Sequence, residues 1–141
     1  PLGIRDYQWQ FTPQGVPNTA GGIRMSAIDF AKYGQLYKNN GRWAGKQLIS
    51  SEWIGKTFSK HKVIGGRDKE FYGYLFWNKT FRVGDKTYEA WYCAGNGGNY
   101  ILVFKDIPFV IVITATAYGR SYAHSQVTQM LTDYILPAII Q

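Results

Sequence analysis

Between Tyr72 and Thr116 the sequence repeats one pattern, in which stretches rich in aromatic and β-branched residues alternate with short turns. Such stretches favour β-strands, and short connections favour antiparallel neighbours. The last stretch, FVIVITAT, is apolar on both faces, so we expect a central strand covered by helices. The predicted strands are residues 72–78, 88–94, 100–104 and 109–116.

Helices are predicted before and after these strands. Ser26, followed by an acid at Asp29, is a capping-box variant, and apolar residues at helical spacing predict a helix over 27–38. A second helix is predicted over about 51–59, after Ser50 as its start signal. Residues 1–22 and 60–70 lack a periodic pattern and are predicted to be irregular, the latter as a surface loop.

This order of elements predicts one α+β domain over residues 1–141, with an antiparallel sheet flanked by helices. An amphipathic pattern near the end of the chain predicts a helix that covers one face of the sheet. The three predicted parts are a mostly helical region, the antiparallel strands and a C-terminal helix, at residues 1–60, 71–117 and 125–140.

Composition and charge reduce the set of partners and cofactors that we expect for this chain. The net charge is +7, but the 16 Lys and Arg residues are scattered without a run of three, so we expect no nucleic-acid partner. The single cysteine excludes an internal disulfide and a cysteine-based zinc cluster, and we expect no metal and no cofactor.

No stretch approaches the ~20 apolar residues of a membrane span, so we expect no transmembrane segment. The chain starts at Pro1, which indicates a processed chain or a piece of a longer one.

The residues that could carry chemistry give few local signals. His61 and His124 are the only histidines, and both are predicted to be isolated surface residues. Cys93 is either a reactive thiol or a small buried apolar residue, and its place in a strand favours the second. It opens the stretch CAGNGG, residues 93–98. This stretch is either a plain tight turn or a place where the backbone lies close to a ligand.

Four blocks of the sequence resemble the C-terminal part of the serine β-lactamase-like family, which includes class C β-lactamases, penicillin-binding proteins and related esterases. The resemblance implies the C-terminal part of a β-lactamase/transpeptidase-like fold and hydrolysis of amides or esters through an acyl-serine. The blocks are PLGI (1–4), GGIRMSAIDFAKYGQLYKNNGRWAGKQLISSEWI (21–54), YGYLFW (72–77) and CAGNGGNYILVFKDIPFVIVIT (93–114).

The family's third motif, Lys-Thr-Gly or His-x-Gly, lies on a strand beside the nucleophile. By position it is similar to Cys93-Ala94-Gly95, with Asn96 next in the turn. The resemblance therefore implies that Cys93, Ala94, Gly95 and Asn96 bind substrate. Cys93 departs from the family's pattern, because a thiol cannot anchor a substrate carboxylate as a cation does.

The family's first motif, Ser-x-x-Lys, is absent from this chain. We therefore expect no catalytic residue within it, a nucleophile upstream and no activity of the chain alone. Tyr37-Lys38-Asn39 matches the family's second motif, Tyr-x-Asn, but its position in the chain makes that a coincidence.

Two functions remain open: the C-terminal segment of a serine hydrolase, or a non-catalytic relative that binds peptides or cell-wall fragments. The expected partner is a small-molecule or peptide substrate in the full-length protein, and the resemblance implies a periplasmic or extracytoplasmic location. Without the rest of the family's sheet the chain would expose apolar surface, so we expect a homo-oligomer or swapped dimer.

Overall fold

The computed structural model describes residues 1–19, 21–65 and 70–140. Four short strands lie in the first 60 residues and form two separate hairpins: β1 (Tyr7–Trp9) with β2 (Ile23–Met25), and β3 (Arg42–Trp43) with β4 (Lys46–Gln47). The main sheet consists of β5 (Lys62–Ile64), β6 (Glu70–Tyr72), β7 (Trp77–Val83), β8 (Lys86–Gly95), β9 (Asn99–Phe104) and β10 (Val110–Ile113).

This main sheet is antiparallel, and its spatial order is β10-β9-β8-β7-β6-β5, so every neighbour in space is also a neighbour in the chain. The helices are α1 (Ala27–Lys38), α2 (Ser51–Thr57), α3 (Ala123–Met130) and α4 (Leu136–Ile139), with a π-helical turn over Leu131–Ile135 between the last two. The predicted α+β architecture is confirmed. Residues 1–60, predicted to be mostly helical, contain two helices and the four short strands.

Helix α1 begins where its capping signal predicts. The Asp29 backbone N–H donates to the Ser26 hydroxyl oxygen at 3.1 Å, and that hydroxyl donates to the Asp29 carboxylate at 2.9 Å. Midway along the helix, Gly34 allows close contact with the sheet. A Cβ at Gly34 would lie 2.6 Å from Val110 Cγ1 and 2.8 Å from Ile101 Cγ2, both far inside van der Waals contact.

The sheet has an apolar core on each face, because side chains alternate along each strand. On one face the C-terminal helical segment covers a cluster that includes Phe81, Leu102, Phe104, Leu131 and Leu136. On the other face α1 and α2 cover a smaller cluster of Tyr37, Ile54, Phe76, Trp91 and Val103. The C-terminal helix was predicted over residues 125–140 and is observed over 123–139.

The strand predicted to be central is at the edge of the sheet. β10 pairs with β9 and is the first strand in the spatial order. It is nevertheless covered on both faces, because Val110 packs beneath Gly34 of α1 while Ile111 and Ile113 join the larger core. The apolar run correctly predicted that both faces of this strand are covered. A strand with covered faces can still lie at the edge of the sheet, with a neighbouring strand on one side only.

Two further predictions were wrong at the other end of the sheet. Residues 60–70 were predicted to be a loop, yet β5 forms at 62–64 and pairs with β6; residues 66–69 lie outside the described range. The strand predicted over 72–78 is interrupted after Tyr72. Leu75 has a φ of 63°, and the Gly73 N–H donates to the Phe76 carbonyl at 2.8 Å, so the chain turns before β7 begins.

The π-helical turn over Leu131–Ile135 lies directly before Pro137. A proline ring in a helix has no N–H to donate and clashes with the carbonyl four residues earlier, here that of Asp133. The wider turn accommodates this proline without ending the helix.

Candidate active-site groove

The predicted substrate-binding residues lie where β8 ends and turns into β9. Pairing between β7 and β8 stops at Trp77 and Tyr92, whereas β9 continues to pair with β8 as far as Gly95. Within the described ranges, residues 93–95 are therefore paired on one side only. Their other side presents backbone groups with which an extended chain can pair.

Asn96 fixes the turn that follows. Its carbonyl oxygen accepts from the Asn99 side-chain amide at 2.7 Å, and its side-chain oxygen accepts from the Gly119 N–H at 3.0 Å. Gly97 and Gly98 both have a φ of 86°, a conformation that side chains disfavour. Gly97 and Gly98 are thus required by the turn itself.

A cavity of about 660 Å³ opens beside the turn, on the sheet face that packs against α3. Ala94, Gly95 and Asn96 line it, together with residues from β6, β7, β9 and α3. Cys93 does not line this cavity; it is adjacent to the smaller core on the opposite face. The structure thus brings three of the four predicted site residues to one cavity, and their role in substrate binding stays a prediction.

Glu70 and Lys79 carry opposite charges and both line the cavity. Glu70 Oε1 is 3.7 Å from Lys79 Nζ, which is an ion-pair distance but too long for a hydrogen bond. The Lys79 ammonium also donates to the Thr128 hydroxyl at 3.2 Å and lies 5.0 Å from the centre of the Phe81 ring and 6.0 Å from that of Tyr92. Lys79 is thus held by groups on three strands and a helix.

Two tyrosines and a histidine form the aromatic wall. Tyr92 and Tyr100 stack at 5.4 Å, and the Tyr100 hydroxyl is 2.9 Å from His124 Nδ1. Burial, and then the negative charge of Glu70, raises the pKa of Tyr100 to about 12 and raises that of Tyr92 as well. Both phenols are therefore protonated at neutral pH and do not act as bases.

Both histidines are exposed, as predicted, but neither is isolated. His124 is in the cavity wall, bonded to Tyr100. His61 stacks on Tyr74 at 4.4 Å, and its Nε2 is 2.7 Å from the Lys56 carbonyl oxygen. Sequence reasoning missed both because their partners are contributed by other elements.

Cys93 is a packed thiol. Its sulfur lies 3.8 Å from the Leu75 carbonyl oxygen, and burial raises its pKa to about 12. The thiolate, which is the reactive form of cysteine, is therefore scarce at neutral pH. This environment fits the interpretation of Cys93 as a small packed apolar residue, and it does not fit the interpretation as a reactive thiol.

Among residues 1–19, 21–65 and 70–140, no group of three or more His, Cys, Asp or Glu is arranged to hold a metal ion. The expected absence of a metal and of a cofactor stays a prediction. In the same ranges, each helix is too short or too polar to cross a bilayer.

The fold defined by these elements is that of the C-terminal part of a β-lactamase-like fold, as predicted. It matches a solved structure from Bacillus anthracis described as a 6-aminohexanoate-dimer hydrolase, with a TM-score of 0.75 and 22% sequence identity. The match covers 99% of this chain and 37% of the hydrolase chain, so this chain spans little more than a third of that protein. At this identity the likeness establishes the fold. The sequence matches no protein-family model and no curated protein.

Several cavity residues were not predicted from the sequence. Alternation along β7 places Trp77 and Lys79 on one face, and this pattern could have indicated them. Nothing in the local sequence connects Glu70, Tyr100 and His124. They meet because β6, β9 and α3 converge on the same face of the sheet.

Proposed function

We propose that this chain is the substrate-groove segment of a serine hydrolase of the β-lactamase and penicillin-binding type. The complete protein cleaves an amide or ester bond through an acyl-serine, and the nucleophile and its lysine lie outside this chain. The observation that carries the proposal is the one-sided pairing of residues 93–95 beside a cavity, within a sheet of β-lactamase-like fold.

The chemical logic is that of acyl transfer. A serine attacks the carbonyl carbon, negative charge develops on the carbonyl oxygen, and a fixed backbone N–H can stabilise it. The unpaired side of β8 supplies backbone donors and acceptors that align an extended substrate. An amide substrate agrees with the name of the Bacillus anthracis hydrolase, and we propose the same bond type here. The proposed location is extracytoplasmic, as for penicillin-binding proteins.

The test is covalent labelling, read as intact mass. A fluorescent penicillin and a fluorophosphonate are each added to the 141-residue chain and to the full product of its gene. We expect the long form alone to be labelled, because the nucleophile lies outside this chain. Labelling of the short chain would contradict the proposal, since it would require a local nucleophile.

A substitution in β8 tests whether the cavity beside residues 93–95 takes part in the labelling reaction. A Cβ added at Gly95 would lie 3.6 Å from its nearest neighbour, an ordinary contact, so the backbone tolerates a side chain there, and Gly95→Val adds bulk to the cavity wall at the end of β8. We expect the labelling rate of the full-length protein to fall at least about tenfold, because a small displacement of substrate is costly to acyl transfer. Thr87→Val, at the other end of β8, is the control and leaves the rate unchanged.

The second candidate is a non-catalytic relative that binds peptides or cell-wall fragments. Cys93 favours it, because it replaces the cationic or imidazole residue of the family motif and is packed away from the cavity. If neither probe labels the full-length protein, this candidate replaces the first.

A further inference from the structure

The hairpin of β1 and β2 lies outside both cores of the domain. Within the described ranges, neither apolar core of the main sheet includes a residue of this hairpin. Its hydrogen bonds run between its own strands and loop: the Gln10 N–H donates to the Gly22 carbonyl and the Trp9 indole N–H to the Asn18 carbonyl, both at 2.9 Å. A two-stranded hairpin is only marginally stable in water, so this one needs a further surface on which to pack.

One face of the hairpin is apolar. Tyr7 pairs with Met25 and Trp9 pairs with Ile23, and residues directly opposite each other in an antiparallel pair share a face. Phe11 lies two residues beyond Trp9 in the same extended segment and continues this face. We call Tyr7, Trp9 and Phe11 the aromatic face of the hairpin.

This aromatic face is open to solvent. Tyr7 is 53% exposed, Trp9 40% and Phe11 60%. The polar pair of Gln8 with Arg24 lies on the other face, so the hairpin has one face suited to water and one suited to burial. Adjacent exposed rings are typical of protein–protein contacts, because aromatic side chains bury a large apolar area there.

The extent of the structural match indicates what covers the aromatic face. The match to the Bacillus anthracis hydrolase covers 99% of this chain, so the hairpin belongs to the shared fold. It covers only 37% of the hydrolase chain, so well over half of that protein has no counterpart in these 141 residues. A protein of this fold therefore has a large further part against which the hairpin can pack.

We propose that the aromatic face is the surface on which the remainder of the full-length protein docks, through an apolar surface of the part that carries the nucleophile. This inference rests on the proposed function, which assigns the nucleophile to a part of the protein outside this chain. β2 ends at Met25, one residue before the Ser26 cap of α1, and α1 packs on the main sheet. A part docked on the hairpin is therefore also held in place relative to the sheet.

The test identifies the occupant of the aromatic face directly. Phe11 of the full-length protein is replaced by p-benzoylphenylalanine, which cross-links to neighbouring groups under light, and mass spectrometry of the digest identifies the linked peptide. We expect a link within one polypeptide, to a segment outside residues 1–141. Tyr134, which is 70% exposed on the C-terminal helical segment, is replaced in the same way as the control and should give no such link.

Two outcomes of the cross-linking overturn the proposal. A link from position 11 to a second copy of the protein would make the aromatic face a contact between copies. The absence of any link from position 11 would show that nothing covers the face.

A second variant measures the same contact without a cross-linker. Phe11→Ser should lower the midpoint of thermal unfolding of the full-length protein by at least about 2 °C, because it removes a buried ring. The midpoint of the 141-residue chain should stay within about 1 °C, since Phe11 is 60% exposed there. Tyr134→Ser, the matched control, should change neither midpoint. Equal shifts of the two forms with Phe11→Ser would contradict the proposal.

Hydrolase function is judged separately, by the covalent labelling described above. A cross-link to a segment outside this chain without labelling refutes the hydrolase alone. Labelling without the cross-link refutes the docking surface alone.

Discussion

The Lys38 ammonium, at the end of α1, donates to the Ile107 carbonyl oxygen at 2.7 Å, in the turn between β9 and β10. It also donates to the carbonyl oxygens of Phe104 and Lys105, at 2.5 Å and 3.3 Å. One cation thus binds three carbonyl oxygens at the end of β9 and in the turn that follows it. Lys38 is part of the Tyr-x-Asn coincidence noted in the sequence, and its contacts give it a structural role.

Lys38→Met should lower the free energy of unfolding by about 1–3 kcal/mol, because it removes charge-assisted hydrogen bonds while keeping the aliphatic stem. Urea denaturation followed by circular dichroism measures this. Lys46→Met, at an exposed position in β4, is the matched control and should change the stability little. Equal stability of the two variants would contradict the assigned role.

Gly34→Ala should destabilise the protein although alanine is the better helix former. Alanine gains about 1 kcal/mol of helix propensity, but its Cβ would lie 2.6 Å from Val110 Cγ1, so α1 would have to move off the sheet. Gly55→Ala is the control: it is also in a helix, with no atom within 4 Å of the added Cβ, and it should stabilise by up to about 1 kcal/mol. Thermal denaturation should therefore shift in opposite directions for the two variants.

Cys93 should make the protein sensitive to alkali. The pKa of its thiol is raised from 9.0 to about 12 by burial, so between these values the unfolded chain releases a proton that the folded chain retains. The stability that the neutral thiol contributes is present below pH 9 and is lost as the pH rises toward 12. We expect the stability difference between the natural protein and Cys93→Ala to shrink from pH 8 to pH 11.

The same residue should react slowly with a maleimide at pH 8 in the folded protein and rapidly in urea. Rapid reaction of the folded protein would show that Cys93 is accessible and ionised, which is the reactive-thiol interpretation rejected above.

The 141-residue chain should self-associate, as expected from its sequence. β10 is at the edge of the sheet, and Phe109 just before it is 44% exposed. Light scattering coupled to size-exclusion chromatography should give a mass above that of one 16.1 kDa chain at micromolar concentration. Phe109→Glu should lower that mass, and a monomer at all concentrations would refute the prediction.

Local signals in the sequence predicted the local structure well. The α1 helix is observed over the predicted residues because its start depends on contacts within one turn, between Ser26 and Asp29. The strands β8 and β9 also follow from strand propensity. These features need no information from distant parts of the chain.

Features that depend on distant contacts were missed. An apolar run does not distinguish an edge strand covered by helices from a central strand. For this reason the predicted central position of β10 was wrong. Likewise, Tyr100 and His124 are 24 residues apart, and their contact follows from how α3 packs on β9. The turn over 73–76 depends on Leu75 in a conformation that its side chain disfavours, which no propensity predicts.

The glycines after β8 have a consequence for tracing the ancestry of such chains. A Cβ on Gly97 would lie 2.9 Å from the Tyr118 ring, and one on Gly98 would lie 3.0 Å from the Ala123 carbonyl oxygen. Selection for folding alone is therefore sufficient to retain both glycines. A related protein that had lost every catalytic residue would still need Gly97 and Gly98 to fold. Their presence in a sequence therefore indicates a shared fold and does not indicate enzymatic activity.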